Sequence, residues 1–335
     1  MKIVVHTPNW IGDVVFAFPA LESLKANFPD AEIWLAANAW VKDVFSGGEA
    51  ENRIIPLPSL NNLKNVREAA KILKSHRFDI GLLLANSFSS AFLFAAARIP
   101  ERWGYQKDGR AFLLTKGVPP AKKDPPPHMV HYYLELLAGL GLKTLPPEIK
   151  ITVSAEEKER ARERLASLGA DLKKPLVIIN PGAAYGPAKR WPAPRFAALA
   201  RLLQERKNAD IAITGTPGDT APAEEVVSAL DNAPINLVGK TTLPELLGII
   251  SQASAFVSND TGPAHLANAL RVPVVAIFGP TDPHITAPFH QPSTVIKKEN
   301  IPCWPCFYRK CPFDHRCLIQ ISAEDVFEAA AVYLP

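Results

Sequence analysis

Short apolar runs alternate with amphipathic stretches along most of the chain, in the order that predicts strand followed by helix. In the first half this pattern predicts three buried strands and two helices between them, at 2–6, 32–37 and 79–84 and at 14–27 and 62–75. Between residues 175 and 279 it continues with five more apolar runs and four amphipathic stretches. Each half is therefore expected to be an α/β unit, a Rossmann-like doubly wound parallel sheet covered by helices on both faces.

Two domains are expected from the length of 335 residues and from a break in the pattern near residue 152. The break precedes a predicted helix with a capping-box start at Ser154 and Glu157 and a glycine stop at Gly169. A ligand is expected in the cleft between the halves, at the carboxyl ends of the strands. The predicted divisions are 1–152, 153–320 and a final helix within 321–335.

The net charge of +4 is mild, which argues against a dedicated nucleic-acid-binding protein. No apolar run is long enough to cross a bilayer and no cleavable signal is recognised, so we expect a cytoplasmic location. Positive charge is nevertheless concentrated between Arg98 and Lys123, where seven basic residues accompany two acidic ones. This basic segment is either a solvated face or a docking surface for a partner rich in phosphate or carboxylate groups.

The loop after the first predicted strand, "TPNWIGD", contains a single glycine, Gly12, followed by Asp13. A dinucleotide-binding loop needs the spacing Gly-x-Gly-x-x-Gly here, so an NAD-dependent oxidoreductase is only a distant alternative. Asp13 lies where the next helix is expected to begin. Its carboxylate either caps that helix, whose start favours negative charge, or acts on a substrate as a general base.

Two later strands end in loops with the chemistry of a diphosphate site. In "SNDTGPAHLANAL", Asp260 and Thr261 precede a predicted helix whose free amides suit phosphate oxygens, with Gly262 allowing close approach. In "INPGAAYGPAKRWP", Lys189 supplies a cation at the corresponding strand end. The simpler interpretations are a helix capped by Asp260 or Thr261 and a surface lysine. Because the chain contains no Asp-x-Asp pair, a diphosphate would be held without a divalent cation.

All four cysteines fall within fifteen residues, in "CWPCFYRKCPFDHRC": Cys303, Cys306, Cys311 and Cys317. A reducing cytosol disfavours disulfides, and the spacing suits a structural zinc or iron site with four thiolate ligands. Free thiols and a redox pair are the alternatives. A four-thiolate site has no open position and the cluster is predicted outside the cleft, so we expect it to support stability rather than catalysis.

Four stretches together resemble glycosyltransferase family 9: "PNWIGDVVFAFPALESLKANFPDAEI", "NSFSSAFLFAAARIPERWGY", "PGAAYGPAKRWP" and "SNDTGPAHLANALRVPVVAIFGPTDP". The resemblance covers almost the whole chain and implies a GT-B arrangement, in which the final helix crosses back to the N-terminal domain. It also implies an inverting transferase that moves L-glycero-D-manno-heptose from ADP-heptose to the heptose of a lipopolysaccharide inner core, without a catalytic metal. The acceptor would be a lipid A–Kdo–heptose glycolipid, met at the inner face of the cytoplasmic membrane by a peripherally bound enzyme.

Position by position, the resemblance also implies roles for single residues. Asp13 would be the general base, and Lys189 would assist departure of the diphosphate. The donor would be bound by Lys189, Asp260, Thr261, Gly262 and His265. The acceptor would be gripped by the basic segment, through Arg102, Lys107 and Arg110. The ribose acid is left open among Asp219, Glu224 and Glu225. A family relative with a different heptose acceptor or nucleotide-sugar donor is the nearer alternative, since sugar choice depends on few contacts.

Overall fold

The computed structural model describes residues 1–45 and 51–335. Contacts between residues divide the chain into two compact units, Met1–Lys150 and Ile151–Pro335. This division falls two residues before the boundary that the sequence pattern predicts. Each unit is built on one parallel sheet flanked by helices.

The N-terminal unit contains a six-stranded parallel sheet in the order β3-β2-β1-β4-β5-β6. Its strands are β1 Lys2–His6, β2 Glu32–Ala37, β3 Ile54–Pro56, β4 Ile80–Leu83, β5 Glu101–Tyr105 and β6 Lys116–Val118. Its helices are α1 Ile11–Phe16, α2 Phe18–Asn27, α3 Leu63–His76, α4 Phe88–Ala96 and α5 Met129–Gly139. The central strands β1 and β4 are buried almost throughout, as expected for parallel strands covered on both faces.

The C-terminal unit contains a second six-stranded parallel sheet, in the order β12-β11-β10-β7-β8-β9. Its strands are β7 Leu176–Asn180, β8 Asp210–Ile213, β9 Ile235–Asn236, β10 Ala255–Asn259, β11 Val274–Ile277 and β12 Ser293–Ile296. Its helices are α6 Ala155–Ser167, α7 Ala193–Lys207, α8 Thr220–Ser228, α9 Leu243–Ile250, α10 Gly262–Ala269, α11 Pro283–Thr286, α12 Arg316–Ile319 and α13 Ala323–Ala331. Every residue of β7 and of β10 is buried.

Both sheets share one topology. Counted in chain order within its unit, each has the strand order 3-2-1-4-5-6 of a doubly wound Rossmann fold, so the predicted fold class is confirmed. The strand order reverses between β1 and β4 in the first sheet and between β7 and β10 in the second. Ligands of such sheets bind at these switch points, beyond the carboxyl ends of the strands.

Most predicted elements are observed, with two instructive differences. The predicted helix at 14–27 is two helices, α1 and α2, separated at Ala17, because Pro19 fits the first turn of a new helix but not the interior of a long one. The basic segment contains the strands β5 and β6, which the sequence pattern did not predict. The capping box of Ser154 with Glu157 and the stop at Gly169 are confirmed.

The final helix, α13, belongs to the core of the C-terminal unit. Val326, Phe327 and Ala330 are buried there in one cluster with Phe196 and Ala200 of α7. Ser322 and Asp325 form a capping box that fixes where the helix begins. The packing described here is with the C-terminal unit, and the crossing to the N-terminal domain stays a prediction.

Candidate active site

Lys189 and Asp260 meet at the switch point of the C-terminal sheet, where β7 and β10 end side by side. Lys189 closes a short helical turn, Pro187–Lys189, and its Nζ lies 2.5 Å from Oδ2 of Asp260, the residue immediately after β10. The hydroxyl of Thr281 donates to the same oxygen across 2.7 Å. Nε2 of His265 lies 3.7 Å from the other carboxylate oxygen. Two residues predicted to bind the donor, Lys189 and His265, thus lie around the carboxylate of a third, Asp260.

This carboxylate is buried yet charged. The Asp260 side chain is 3% exposed and the Lys189 side chain 12% exposed. Burial by itself raises the pKa of Asp260, but the hydrogen bond from His265 and the charge of Lys189 outweigh it and lower the pKa to about 2. The ammonium of Lys189 also lies 4.9 Å from the ring centre of Tyr185, a cation–π distance. The Lys189 ammonium is therefore held by a buried carboxylate and an aromatic ring.

Thr261 and Gly262 form the start of α10 beside this pair. Thr261 is the N-cap residue, yet among the described contacts its side chain accepts no hydrogen bond from the first turn. Its hydroxyl instead pairs with that of Ser258 at 2.8 Å. The first-turn amides of a helix have no partner within the helix, so a start that its N-cap side chain does not cap can receive an anion.

Sequence reasoning missed two residues that organise this site, Asn259 and Thr281. Asn259 donates to the carbonyls of Pro181 and Gly182 at 2.9 and 3.0 Å and accepts from the Trp191 amide at 2.9 Å. It thereby ties the end of β10 to both ends of the loop that carries Lys189. Asn259 stands directly before the Asp-Thr-Gly stretch, and a buried amide at a strand end is a signal that could have identified it.

The three candidate ribose acids occupy different environments. Asp219 is buried after β8, where it accepts from the amide and hydroxyl of Thr216 at 3.0 and 2.7 Å. A side chain at Gly182, in the loop after β7, would collide with the Asp219 carboxylate. Glu224 and Glu225 are exposed on α8. Of the three, Asp219 is the acid that lies against the loop at the switch point.

Asp13 lies at the switch point of the N-terminal sheet, in the first turn of α1. Its side chain is half-buried. The charge of Asp13 affects the hydroxyl of Tyr133 on α5. Burial raises the pKa of Tyr133 well above its ordinary value, and the negative charge of Asp13 raises it further. A partly accessible carboxylate at a helix start suits a base and is also stabilised by the helix dipole.

Arg110 does not fit its predicted role as an acceptor-binding residue. Its side chain is completely buried, and its donors are engaged within the unit: Nε to the Tyr105 carbonyl at 3.0 Å, Nη1 to the Ala85 carbonyl and the Ser90 hydroxyl, and Nη2 to Asn86 at 2.8 Å. The prediction is corrected, because a completely buried guanidinium that bonds the interior through Nε, Nη1 and Nη2 cannot reach a glycolipid. Arg110 braces the loop between β4 and α4.

Arg102 and Lys107 lie at opposite ends of β5. Arg102 stands at the amino end, where its guanidinium donates to the carbonyls of Leu113 and Ile99 at 2.7 Å each. The amino ends of the strands are opposite to the carboxyl ends, where the switch point lies. Arg102 is therefore also better explained as a structural residue. Lys107 follows the carboxyl end of β5 and is exposed. Its role at the acceptor stays a prediction.

The four cysteines converge on one small cavity of about 10 Å³, close to the size of a single water molecule or ion. All four are free thiols. Burial raises the pKa of Cys317 to about 11, and the other three sulfur atoms add to that rise. Within residues 1–45 and 51–335, however, no group of three or more His, Cys, Asp or Glu side chains has the arrangement of a metal site. The thiols are grouped but do not form a ligand set as they stand.

The four-cysteine segment, residues 303–317, contacts the loop that carries Lys189. Ala188 lines the cysteine cavity, and its amide donates to the carbonyl of Arg309 at 3.1 Å. Whether this segment lies outside the cleft, as expected, stays a prediction. The segment follows Lys189 by more than a hundred residues in the chain but returns to the loop after β7.

Comparisons with known proteins identify the family of this chain. The model of "Glycosyltransferase family 9 (heptosyltransferase)" matches residues 66–316. Lipopolysaccharide heptosyltransferase 2 of Salmonella typhimurium is 32% identical over 311 residues, 89% of this chain and 88% of its own. Lipooligosaccharide heptosyltransferase 2 of Campylobacter jejuni serotype O:2 is 29% identical, over 98% and 97% of the two chains. The solved structure of E. coli ADP-heptose lps heptosyltransferase II superposes with a TM-score of 0.84 at 30% identity, covering 99% and 98% of the two chains. Each helix in the described part of this chain is too short or too polar to span a membrane.

Proposed function

The chain belongs to glycosyltransferase family 9, and from this membership we propose that it transfers L-glycero-D-manno-heptose from ADP-heptose to the heptose of a lipopolysaccharide inner core, with inversion. The function is that of a heptosyltransferase II, the activity named for its relatives in Salmonella typhimurium and E. coli. The observation that carries the proposal is the Lys189–Asp260 pair beside the start of α10.

Lys189 and the first turn of α10 receive the diphosphate of the donor. An ammonium has three donors; the short bond to Asp260 Oδ2 uses one, and the contact to the Asp260 carbonyl, at 3.4 Å, is weak. The remaining donors are available to phosphate oxygens, and the amides after Thr261 add further donors. As ADP departs, these groups stabilise its charge in place of a divalent cation.

Asp13 is the general base in this proposal. Its carboxylate takes the proton from an acceptor hydroxyl while that oxygen forms a bond to the anomeric carbon of the heptose. The bond from the anomeric carbon to the phosphate oxygen breaks, and its electron pair leaves with ADP. Attack from the face opposite to ADP inverts the anomeric centre, so one carboxylate is sufficient and no covalent intermediate forms.

The acceptor is a lipid A–Kdo–heptose glycolipid, which the protein meets at the inner face of the cytoplasmic membrane. Lys107 is an exposed cation at the carboxyl edge of the first sheet and is suited to inner-core phosphates. Three exposed aromatic rings of the same unit form a patch: Phe88 stacks with Phe92, and the ring centres of Phe88 and Phe112 are 6.1 Å apart. An exposed apolar patch suits a lipid surface.

The four cysteines are proposed to hold one structural zinc or iron ion. Their convergence on a cavity of atomic size supports this, although the thiols must first draw together and lose their protons to become ligands. The ion would stabilise the segment and would take no part in catalysis.

Transfer assays with purified protein test the function. We expect turnover with ADP-heptose and an acceptor that already carries one inner-core heptose, and none with UDP- or GDP-sugars. Activity should persist in a chelator. Transfer to an acceptor that lacks the first heptose, or from another nucleotide-sugar, would instead favour a family relative with a different specificity. Hydride transfer to NAD without glycosyl transfer would overturn the proposal.

A further inference from the structure

The four-cysteine segment accepts two hydrogen bonds from the loop that carries Lys189, one from a backbone amide and one from a side-chain hydroxyl. The amide of Ala188, one residue before Lys189, donates to the Arg309 carbonyl at 3.1 Å. The hydroxyl of Tyr185 donates to the Phe307 carbonyl at 2.6 Å. Both acceptors are backbone oxygens, so the geometry depends on the path of the segment rather than on its side chains.

The same segment also holds the turn that presents Thr281 to Asp260. The amides of Cys306 and Phe307 both donate to the Pro280 carbonyl at 3.0 Å. The indole of Trp304 donates to the Thr281 carbonyl at 3.2 Å. The segment is therefore bonded to the parts of the chain that carry two of the carboxylate's partners, the loop with Lys189 and the turn with Thr281.

The segment lies so close to the lysine loop that position 186 has no room for a residue larger than glycine. Gly186 adopts a φ of +152°, and a side chain there would collide with the Arg309 carbonyl. Two cations lie over the ring of Tyr185, with the Lys189 ammonium 4.9 Å and the Arg309 guanidinium 5.2 Å from its centre. A loop outside regular structure needs such ties, because a flexible lysine otherwise loses the orientation on which electrostatic catalysis depends.

We propose that the four-cysteine segment is a positioning element for the donor site, acting through Tyr185, Gly186 and Ala188 to hold Lys189 in place. This inference rests on the proposed function, in that Lys189 is taken to contact the diphosphate. Tyr185 is its positioning residue: its hydroxyl fixes the loop to the segment, and its ring supports the ammonium.

Tyr185→Phe tests the tie with the least disturbance, because it removes the hydroxyl bond to Phe307 and keeps the ring under Lys189. We expect ADP to bind about three- to tenfold more weakly by calorimetry and kcat to fall by a similar factor, the effect of one hydrogen bond. The KM for the acceptor should not change. Tyr333→Phe is the matched control: it also removes one tyrosine hydrogen bond, to Thr294 at 2.7 Å, at the end of the C-terminal unit. Its ADP affinity should equal that of the wild type.

A double-mutant cycle with Lys189→Ala separates positioning from a direct contact of Tyr185 with the donor. If Tyr185 acts through Lys189, Tyr185→Phe has no further effect on ADP affinity once the lysine is absent. Additive losses would overturn the positioning role. If Lys189→Ala itself leaves ADP binding unchanged, the assignment of Lys189 in the proposed function fails. If Lys189→Ala weakens binding and Tyr185→Phe does not, only the present inference fails.

Gly186→Ala probes the close contact from the other side, with Gly169→Ala as its control. Both glycines have a positive φ, but no heavy atom lies within 4 Å of a side chain at Gly169, whereas one at Gly186 meets Arg309. We expect Gly186→Ala to weaken ADP binding by about tenfold or more, since the segment must move away. Equal ADP affinity in the two variants, with both folded by circular dichroism, would contradict the inference.

Discussion

Lys189 and Asp260 are 71 residues apart in the chain, yet their charged groups lie 2.5 Å apart, because β7 and β10 are neighbours in the sheet. The aspartate is buried and its pKa is about 2, so the lysine has a permanent counter-charge beside the start of α10. A cation held in this way is ordered before a substrate arrives. This prior order is what electrostatic stabilisation of a leaving group requires.

Lys189→Ala should weaken ADP binding by roughly ten- to a hundredfold, because a charge-assisted hydrogen bond to phosphate is lost. Calorimetry with ADP measures this directly. Lys158→Ala removes an exposed lysine from α6 in the same unit and should bind ADP as the wild type does. Wild-type transfer that a chelator abolishes and magnesium restores would contradict a mechanism in which Lys189 replaces the cation.

Asp13→Asn should retain ADP affinity and lose transfer, with kcat reduced by a factor on the order of a hundred or more, the scale for a positioned base. The amide keeps the shape of the side chain, so the thermal midpoint should move little. Separate measurements of ADP binding and of kcat distinguish the base from a helix cap. Near-normal turnover would mean that Asp13 only stabilises α1.

The alternating strands and helices could be predicted because a parallel strand covered on both faces is a continuous apolar run. The strands β5 and β6 could not, since "ERWGY" and "KGV" mix charges and glycine with few apolar residues. The burial of Arg110 could not be predicted either. Its acceptors come from the ends of two different strands, and sequence alone favours a surface position for any arginine. Lys189 was identified from its loop, but its pairing with Asp260 depends on strand order alone.

Lys107 and Arg110, two cations of the basic segment, should respond differently to substitution. Lys107→Glu should raise the KM for the glycolipid several-fold and leave the thermal midpoint unchanged, because the side chain is exposed. Arg110→Leu should destabilise the N-terminal unit by about 3 kcal/mol or more, since it leaves buried carbonyls without their donors. Thermal unfolding and acceptor kinetics on both variants check this. A stable Arg110→Leu with impaired acceptor kinetics would restore the original prediction for Arg110.

His6 makes folding sensitive to mild acid. It is buried at the end of β1, where burial is the main cause that lowers its pKa from 6.5 to about 4. Between these values the unfolded chain binds a proton that the folded chain does not, so stability is complete above pH 6.5 and falls as the pH drops towards 4. The loss amounts to about 3 kcal/mol at 1.36 kcal/mol for each pKa unit. Denaturant unfolding measured across this pH range should show no such loss of stability for His6→Gln. His284→Gln, at an exposed site, should show the same loss as the wild type. Parallel pH profiles for wild type and His6→Gln would contradict the assignment.

The four cysteines line a cavity of atomic size, and their segment is bonded to the loop of Lys189. Protein purified without chelator should contain one equivalent of zinc or iron bound by four thiolates, with metal–sulfur distances of about 2.3 Å for zinc by X-ray absorption. Cys317→Ser, at the most buried of the four, should lower the thermal midpoint and, through the loop, the affinity for ADP as well. Cys→Ser variants that lose stability but bind ADP normally would confine the ion to a local structural role. Less than about a tenth of an equivalent of metal, with two disulfides found by mass spectrometry, would contradict the metal site itself.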